Sequence, residues 1–354
     1  MTSPARAVRL AVVGAGRMGQ LHSRVLSEMP QVKLACVVDC NLQQAQAVAE
    51  QYGAEACENP ADAVGRVDAA IIAVPTRAHV QAAMPFVQAG KPVLIEKPIA
   101  DSSAAASELL ELSERTGSTV QVGHTERFNP AVEAIARFEI QPKFIDGYRI
   151  SPFTFRSADI GVVLDMMIHD IDLVLMMVQS ELAGVEAVGV NVLGKHEDIA
   201  NARLSFANGC IANLTASRLA IKSERKMHIF SEQAYLSVDY GKRVGAVVKK
   251  SANLDLIQMA RDADAADLAE LAMSTDFTKL IRFEQLEVAD TVEPLRKQAE
   301  AFCRCVAERA EPVVPGRAGL AAVRCAEAIM RSIQAHRWDG AASSRAGLDV
   351  IQRE

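Results

Sequence analysis

The segment Val8-Arg9-Leu10-Ala11-Val12-Val13-Gly14-Ala15-Gly16-Arg17-Met18-Gly19 decides the fold of the first part of this 354-residue chain. A short apolar run leads directly into the pattern G-x-G-x-x-G, and the residues that follow have apolar side chains at helical spacing. Glycines permit a tight turn and a close approach of the backbone to a ligand, and the first turn of a helix offers free N–H groups to a pyrophosphate. We therefore predict a strand–turn–helix unit that binds a dinucleotide. Its predicted contacts are Gly14, Gly16, Arg17, Met18 and Gly19.

Strand-like and helix-like segments alternate from this unit to about Gly123. The predicted strands are residues 8–13, 32–38, 68–74, 92–95 and 119–122. The predicted helices are residues 17–29, 42–52, 78–89 and 102–115. Alternation of this kind with short connections is typical of a doubly wound parallel sheet, so the fold class is α/β, with an N-terminal Rossmann domain over residues 1–124.

The pattern changes after residue 124. Helices are predicted over 129–138, 163–178, 293–309 and 320–337, and successive strands over 202–206, 210–216, 227–230, 234–238 and 244–248, with strand structure beginning at Val185. Asn208-Gly209 indicates a hairpin whose two turn positions both have positive φ. Strands that follow one another without helices between them favour a mostly antiparallel sheet. Residues 125–354 are therefore predicted to form an α+β domain for substrate binding and oligomerisation, in which the stretch 251–280 has no assignable structure.

Bulk properties exclude several classes of protein. Half of the residues are hydrophobic, but no apolar run approaches the ~20 residues of a membrane-spanning helix. The formal net charge of −6 argues against general nucleic-acid binding, which needs surplus Lys and Arg. Seven cysteines are scattered without metal-type spacing, and Met1–Arg9 does not resemble a signal peptide. We expect a cytoplasmic protein with reduced thiols and no bound metal.

Asp39 determines the expected cofactor. It ends the second strand 20 residues beyond Gly19, where a carboxylate accepts hydrogen bonds from ribose hydroxyls and repels a 2′-phosphate. The next residues, Cys40 and Asn41, carry no positive charge. The sequence therefore favours NAD over NADP.

Further cofactor contacts are predicted at the carboxyl ends of later strands, because those ends face the ligand crevice of such sheets. They are Val74, Pro75, Thr76, His79, Glu96 and Lys97. For His79, a place on the helix surface is the alternative to a functional role.

Lys97 is the first candidate catalytic residue. It stands between Glu96 and Pro98 at the end of the fifth strand, where its ammonium can donate a hydrogen bond to a substrate oxygen. An ordinary surface lysine in a βα loop is the alternative.

Asp165, His169 and Asp172 form the second candidate group. At spacings of four and three residues they share one face of a predicted helix that is otherwise apolar and hence buried. Hydride removal from an alcohol needs a base and a donor near the developing carbonyl oxygen. We assign His169 as the base, Lys97 as the donor and Asp165 as their orienting partner. Lys97 as the proton relay, Asp165 as a helix cap and His169 as a core residue remain open alternatives, whereas zinc lacks a further His or Cys ligand.

These motifs, in this order, resemble the glucose–fructose oxidoreductase, inositol dehydrogenase and rhizopine-catabolism (Gfo/Idh/MocA) family over nearly the whole chain. The resemblance implies an N-terminal Rossmann domain and a C-terminal domain with a large open sheet that commonly forms the subunit interface of a homodimer or homotetramer. It also implies Lys97 as the catalytic lysine, His169 as acid/base and Asp165 as its partner. Upstream of Asp165, residues 156–164 depart from the Gly-Gly run of many members.

Residues 123–130, Gly-His-Thr-Glu-Arg-Phe-Asn-Pro, and residues 165–172 are similar to one branch, the UDP-N-acetylglucosamine 3-dehydrogenases. That branch implies oxidation of a sugar 3-hydroxyl with NAD. The expected substrate contacts are His124, Arg127, Asn129, Arg149, Arg156, Asp165 and His169. Cations would bind the diphosphate, although each arginine could equally lie at a surface or domain interface. Alternatives are a dehydrogenase of a free polyol or sugar and a non-catalytic NAD-binding regulator.

Overall fold

A computed structural model describes residues 6–138, 140–153, 160–193, 195–250, 283–286, 292–338 and 346–348, with the single residues 258, 261 and 288. The chain divides into two compact units. Unit 1 contains residues 1–128, 163–176 and 291–331, and unit 2 contains residues 129–162, 177–290 and 332–354. No helix in the described ranges is long and apolar enough to cross a membrane.

The first elements alternate between strand and helix. They are β1 (Val8–Val13), α1 (Arg17–Ser27), β2 (Val32–Val38), α2 (Leu42–Tyr52), β3 (Glu55–Cys57), α3 (Pro60–Val64), β4 (Ala69–Ile72), α4 (His79–Gln88), β5 (Val93–Glu96), α5 (Ser103–Thr116) and β6 (Val120–Gly123). The strands form a six-stranded sheet in the order β3-β2-β1-β4-β5-β6. All of its pairings are parallel, which confirms the predicted doubly wound sheet.

Both faces of this sheet are buried, as a parallel sheet with helices on each side requires. Successive residues of β1 belong to different apolar clusters: Val12 packs with Leu26 and Phe302 on one face, and Val13 packs with Phe86 on the other. Burying a phenylalanine side chain of this kind stabilises the fold by about 1.5–3 kcal/mol.

The later elements build unit 2 and return twice to unit 1. They are α6 (Pro130–Ala136), β7 (Phe144–Ile150), a π-helical turn (Val163–Met167), α7 (Ile168–Val178), β8 (Leu182–Val190), β9 (Ile199–Phe206), β10 (Ile211–Ser217), β11 (Glu224–Phe230), β12 (Ala234–Asp239), β13 (Val244–Lys249), β14 (Glu284–Gln285), α8 (Pro294–Glu308) and α9 (Gly316–Ala335). The strands of unit 2 form an eight-stranded sheet in the order β14-β13-β12-β11-β7-β10-β9-β8. It is antiparallel apart from the β7–β10 pair, which confirms the predicted mostly antiparallel sheet.

The division into units differs from the predicted single boundary after residue 124. The π-helical turn, most of α7 and all of α8 belong to unit 1. Side-chain pairs account for this: Lys97 and Arg127 bind residues of the 163–176 segment, and Arg24 of α1 binds Glu293 just before α8. Such long-range pairs leave no periodic signal in the sequence.

Two local predictions need correction. The hairpin at Asn208-Gly209 exists, but of its two turn residues only Gly209 has positive φ, at 84°. The Gly209 N–H donates to the Phe206 carbonyl, so the turn is a type I turn followed by a left-handed glycine. The helix predicted over 163–178 begins with the π-helical turn. Residues 251–257 and 262–282 lie outside the described residues.

Candidate active site

The glycine-rich turn connects β1 to α1 at the carboxyl edge of the parallel sheet. Gly14 has φ +102°, and a Cβ there would lie 2.5 Å from the carbonyl oxygen of Ala73. A Cβ on Gly19 would overlap the carbonyl group of Gly14. These two glycines are therefore required by the protein's own packing.

Gly16 is different, because nothing in the described part of the protein requires it to be glycine. Its φ of −69° and ψ of −171° are open to any residue, and a methyl group at this position would have no heavy atom within 4 Å. Among the described residues, no side chain caps the first turn of α1, which leaves its N–H groups for another partner. Arg17 is exposed and Met18 is partly buried in the same turn. A pyrophosphate group fits this turn, where uncapped backbone N–H groups are available as donors.

Asp39 follows β2 beside this turn. Its Oδ2 accepts a hydrogen bond from the Ala15 N–H at 2.8 Å, and its Oδ1 accepts one from the Asn41 N–H at 2.9 Å. The carboxylate is thus oriented by backbone donors while remaining partly exposed. The position fits the predicted ribose contact.

The residues after β4 border the same edge. Val74 and Thr76 are partly exposed and Pro75 is exposed. His79 is buried, so its alternative place on the helix surface is wrong. Its Nδ1 lies 2.8 Å from the Pro98 carbonyl oxygen and its Nε2 2.9 Å from that of Val74. Burial lowers the pKa of His79 despite these two carbonyls, and the ring connects the loops that follow β4 and β5.

Lys97 and Asp165, predicted to act together, are in contact. Lys97 Nζ donates to the main-chain carbonyl oxygen of Asp165 at 2.6 Å and lies 3.3 Å from its carboxylate Oδ1. The side chains are 20% and 26% exposed, so a solvent-side path to both remains. The Lys97–Pro98 peptide bond is cis. Lys97 is therefore not the freely solvated surface lysine of the alternative interpretation.

Asp165 lies in the π-helical turn, and His169 lies at the start of α7 and is partly buried. A π-helical turn is wider than an α-helical one, so the predicted common face of Asp165, His169 and Asp172 does not follow from ideal α-helical spacing. Turns of this type occur frequently at functional sites. Both residues belong to unit 1, as does Lys97.

Sequence reasoning missed His22, which contacts the conspicuous carboxylate of Glu96. Nε2 of His22 lies 2.8 Å from Oε1 of Glu96, with His22 fully buried and Glu96 nearly so. Burial of Glu96 opposes its ionisation, but the hydrogen bond to His22 and the nearby positive charges outweigh burial and lower the pKa of Glu96. The available signal was a histidine on the buried face of α1, three residues after Gly19.

Arg127, predicted to bind a diphosphate, has a protein partner instead. Its Nε and Nη2 donate to the two carboxylate oxygens of Asp172 at 2.7 and 2.6 Å. Asp172 is 1% exposed, so this is a buried, bidentate ion pair. The pair also removes Asp172 from consideration as a metal ligand, and no group of three metal-binding side chains occurs among the described residues. Both residues belong to unit 1, so the pair stabilises this unit internally.

His124 follows β6 directly, next to the register pair Glu96–Gly123. It is 1% exposed, and its Nδ1 lies 3.9 Å from the Asp172 carboxylate, beyond hydrogen-bond distance. Neither ring nitrogen has a hydrogen-bond partner in the described part of the chain. Burial lowers the pKa of His124. The buried imidazole of His124 therefore stands at the same sheet edge as Lys97.

Two other predicted substrate contacts, Asn129 and Arg149, lie in unit 2. The Asn129 side chain caps α6 by accepting from the Ala131 N–H and donates to the Tyr240 carbonyl, so it serves the local fold. Arg149 lies on β7 and is 4% exposed. Arg156 lies outside the described residues.

A doubly wound parallel sheet, an uncapped glycine turn and a lysine–aspartate pair at the carboxyl edge of that sheet together define the class of protein: an oxidoreductase that uses a dinucleotide cofactor. The chain belongs to the GFO/IDH/MocA oxidoreductase family. Residues 8–124 match the family's NAD-binding Rossmann fold, and residues 134–237 match its C-terminal domain.

Relatives of similar sequence include sugar and polyol dehydrogenases. The chain is 35% identical over 234 residues to the UDP-N-acetylglucosamine 3-dehydrogenase of Acidithiobacillus ferrooxidans, covering 66% of this chain and 74% of that protein. A crystal form of an enzyme with that name and source superposes with a TM-score of 0.81 at 28% identity, covering 92% of this chain and 98% of the other. Inositol 2-dehydrogenase of Rhizobium meliloti is 26% identical over 342 residues, covering 92% and 97% of the two chains.

Proposed function

We propose that this protein uses NAD to oxidise the 3-hydroxyl of UDP-N-acetylglucosamine to a ketone. The observation that carries the proposal is the contact between Lys97 and Asp165 at the carboxyl edge of the sheet that bears the glycine turn. The 35% identity to an enzyme of that name supports the choice of substrate. NAD, when bound, accepts a hydride from the carbon that bears the hydroxyl.

The chain's own residues manage the proton and orient the substrate. His169 takes the hydroxyl proton as general base, and the Lys97 ammonium donates a hydrogen bond to the oxygen as it becomes a carbonyl. Asp165 fixes the ammonium through two acceptors, 2.6 and 3.3 Å away. Holding a donor where negative charge develops lowers the barrier because no reorganisation is needed at the moment of reaction.

NAD is preferred over NADP in this proposal because of the chemistry at Asp39. Two backbone N–H groups hold its carboxylate in place beside the glycine turn. A 2′-phosphate would meet this negative charge and find no cation at Cys40 or Asn41.

A free polyol is the second candidate substrate. An inositol 2-dehydrogenase matches nearly the whole length of the chain. Because Arg127 is bound to Asp172, it does not itself argue for a diphosphate. A regulator without catalysis would have no need for a base and a hydrogen-bond donor such as His169 and Lys97.

The test is a substrate screen with both cofactors. UDP-N-acetylglucosamine, other UDP-sugars, inositols and glucose are each incubated with NAD or NADP, with an aminotransferase or a carbonyl trap to remove the ketone. NADH absorbance and the mass of the keto product are recorded. Turnover with UDP-N-acetylglucosamine and NAD is expected, whereas turnover only with free polyols would transfer the protein to the inositol type. No turnover despite NAD binding would favour a regulator.

Lys97→Met gives the matched mechanistic test. We expect turnover to fall by about 10²–10⁴-fold, the usual contribution of a positioned proton donor or acceptor, with NAD still bound. Lys33→Met removes an exposed lysine from β2 of the same unit and should leave turnover unchanged. Equal activity of the two variants would exclude the assigned role of Lys97.

We also propose that the open face of the unit 2 sheet forms a contact between copies of the chain. Phe144, Phe230 and Tyr235 form an aromatic cluster on this face, with ring centroids 5.7 and 4.8 Å apart. Phe230 is 40% exposed, so the cluster presents apolar surface to solvent. Phe230→Asp is expected to reduce the mass of the particle measured by light scattering, and an unchanged mass would contradict this interface.

The cytoplasm is the proposed compartment. All seven cysteines are free thiols, and six of them are buried. Free thiols agree with a reducing environment. Fractionation of cells that express the tagged protein tests the assignment, which an extracytoplasmic location would refute.

A further inference from the structure

The buried pair Glu96–His22 has no role in the proton transfer described above. Glu96 is the last residue of β5 and directly precedes Lys97. Gly123, its register partner on β6, makes room for it: a Cβ there would lie 3.1 Å from the Glu96 Cα, Cδ and Oε1. The carboxylate is thus packed into the sheet edge and cannot move freely toward solvent.

His22 determines the charge of this pair. Its Nε2 contacts Glu96, while its Nδ1 is buried without a hydrogen-bond partner among the described residues. A doubly protonated ring would bury an N–H that has no acceptor, which is costly. The geometry therefore favours a neutral ring that donates from Nε2 to an ionised carboxylate.

The other charged side chains near Glu96 have partners of their own. Lys97 carries one positive charge and is already paired with Asp165. Asp172 is paired with Arg127, and burial lowers the pKa values of His79 and His124, which opposes a positive charge on either ring. Glu96, hydrogen-bonded to His22, thus holds a buried carboxylate at the carboxyl edge, two strands from the glycine turn in the order β1-β4-β5.

We propose that Glu96, held by His22, is a fixed buried charge that favours the oxidised, cationic nicotinamide over the neutral reduced one. This inference rests on the proposed use of a nicotinamide dinucleotide at this edge. A negative charge in a site of low dielectric attracts the positively charged ring and has little effect on the uncharged ring. The pair would thereby keep the protein loaded with the form that an alcohol oxidation consumes.

The test measures dissociation constants for NAD⁺ and NADH by titration calorimetry, without any sugar substrate. Glu96→Gln keeps the size of the side chain and an acceptor for His22 but removes the charge. We expect NAD⁺ to bind at least about tenfold more weakly, which is the effect of a unit charge about 12 Å away at an effective dielectric of about 20, with NADH within twofold. Asp68→Asn is the matched control, because Asp68 pairs with Arg9 at the opposite, amino edge of the sheet.

Variants of His22 separate charge from packing. His22→Gln retains a donor for Glu96 and should keep the wild-type ratio of the two constants. His22→Leu fills the space without a donor, so the buried carboxylate takes up a proton and the ratio should shift as in Glu96→Gln. Thermal melting checks that each variant is folded.

Equal weakening of both cofactor forms by Glu96→Gln, or no change in either, would overturn the proposal. Failure of the proposed function is distinguishable from this result. If NADP⁺ binds in place of NAD⁺, the preference assigned to Asp39 fails and the same ratio is measured with NADP⁺ and NADPH. If UDP-N-acetylglucosamine is not oxidised, the binding ratio still decides the role of Glu96.

Discussion

Replacing Gly16 with alanine tests whether this glycine is needed for ligand binding, whereas Gly14 and Gly19 are needed for the folding of the protein itself. At Gly16 the added methyl group would meet no heavy atom within 4 Å, and the backbone is in a region open to every residue. At Gly14 the same methyl group would lie 2.5 Å from the Ala73 carbonyl oxygen with φ at +102°. The two substitutions therefore differ in the surroundings of the new carbon atom and in the backbone conformation that must accept it.

The expected magnitudes follow from these differences. Gly16→Ala should leave the free energy of unfolding unchanged or raise it by about 0.4–1 kcal/mol, because alanine restricts the unfolded chain. Crowding against a bound pyrophosphate costs about 1–3 kcal/mol, which weakens the dinucleotide by about 5- to 150-fold. Gly14→Ala should instead destabilise the folded protein, through about 1–3 kcal/mol of overpacking and about 1–3 kcal/mol of backbone strain.

The assay combines thermal melting of the free protein with calorimetric titration of NAD⁺. Gly65→Ala is the control, since Gly65 also has open space around it and a negative φ of −71° but ends α3 away from the glycine turn. Its melting temperature and its affinity for NAD⁺ should match the wild type. Wild-type affinity in Gly16→Ala, or a loss of stability as large as that of Gly14→Ala, would refute the reasoning about the glycine turn.

Three further predictions concern charged groups. Arg127→Ala should destabilise the protein by about 3 kcal/mol, because it leaves the buried Asp172 carboxylate without its partner. Thermal melting measures this loss. An unchanged melting temperature together with a raised KM for the UDP-sugar would instead show that Arg127 contacts the diphosphate. Asp39→Ser combined with Cys40→Arg should move kcat/KM toward NADP by at least about tenfold, since a cation replaces the repelling carboxylate, and an unchanged ratio would contradict the role of Asp39. The hydrogen bond from Arg9 lowers the pKa of Asp68, although burial opposes this. The pair therefore stabilises the fold at pH values above 3.8, the ordinary pKa of the carboxyl group. This stabilisation is lost as the pH falls through the lower pKa of the folded state. Asp68→Asn should therefore cost about 0.5–1 kcal/mol at pH 7 and progressively less below pH 3.8, measured as melting temperature against pH, and a deficit that grows on acidification would have the wrong sign.

Periodic segments of the sequence predicted their elements well. β1 and α2 begin and end at the predicted residues, because Gly14 ends β1 while Asn41 and Gly53 cap the two ends of α2. β7 was missed, although it lies between β11 and β10 in the sheet. Its inward positions are Ile145, Gly147 and Arg149, and a glycine and an arginine do not give the alternation by which a strand is recognised.

Residues of the candidate site that lie in recognisable sequence motifs could be predicted. Contacts between side chains that are far apart in the sequence could not. Lys97 and Asp165 could be proposed as partners from their separate motifs, and they are in contact. The pairing of Arg127 with Asp172 depends on two segments that are 45 residues apart, so composition alone left its role open. His22 was overlooked because a single histidine on an amphipathic helix has no pattern that distinguishes it.

The π-helical turn over Val163–Met167 has a consequence for exchanging parts between family members. A helix taken from a relative whose turn is regular would have one residue fewer between fixed anchors. Each residue of an α-helix rotates the chain by about 100°, so such a graft would turn Asp165 away from Lys97 while leaving the helix itself intact. Chimaeras of these dehydrogenases should therefore be aligned by residue count through this turn, and not by the resemblance of the flanking helices.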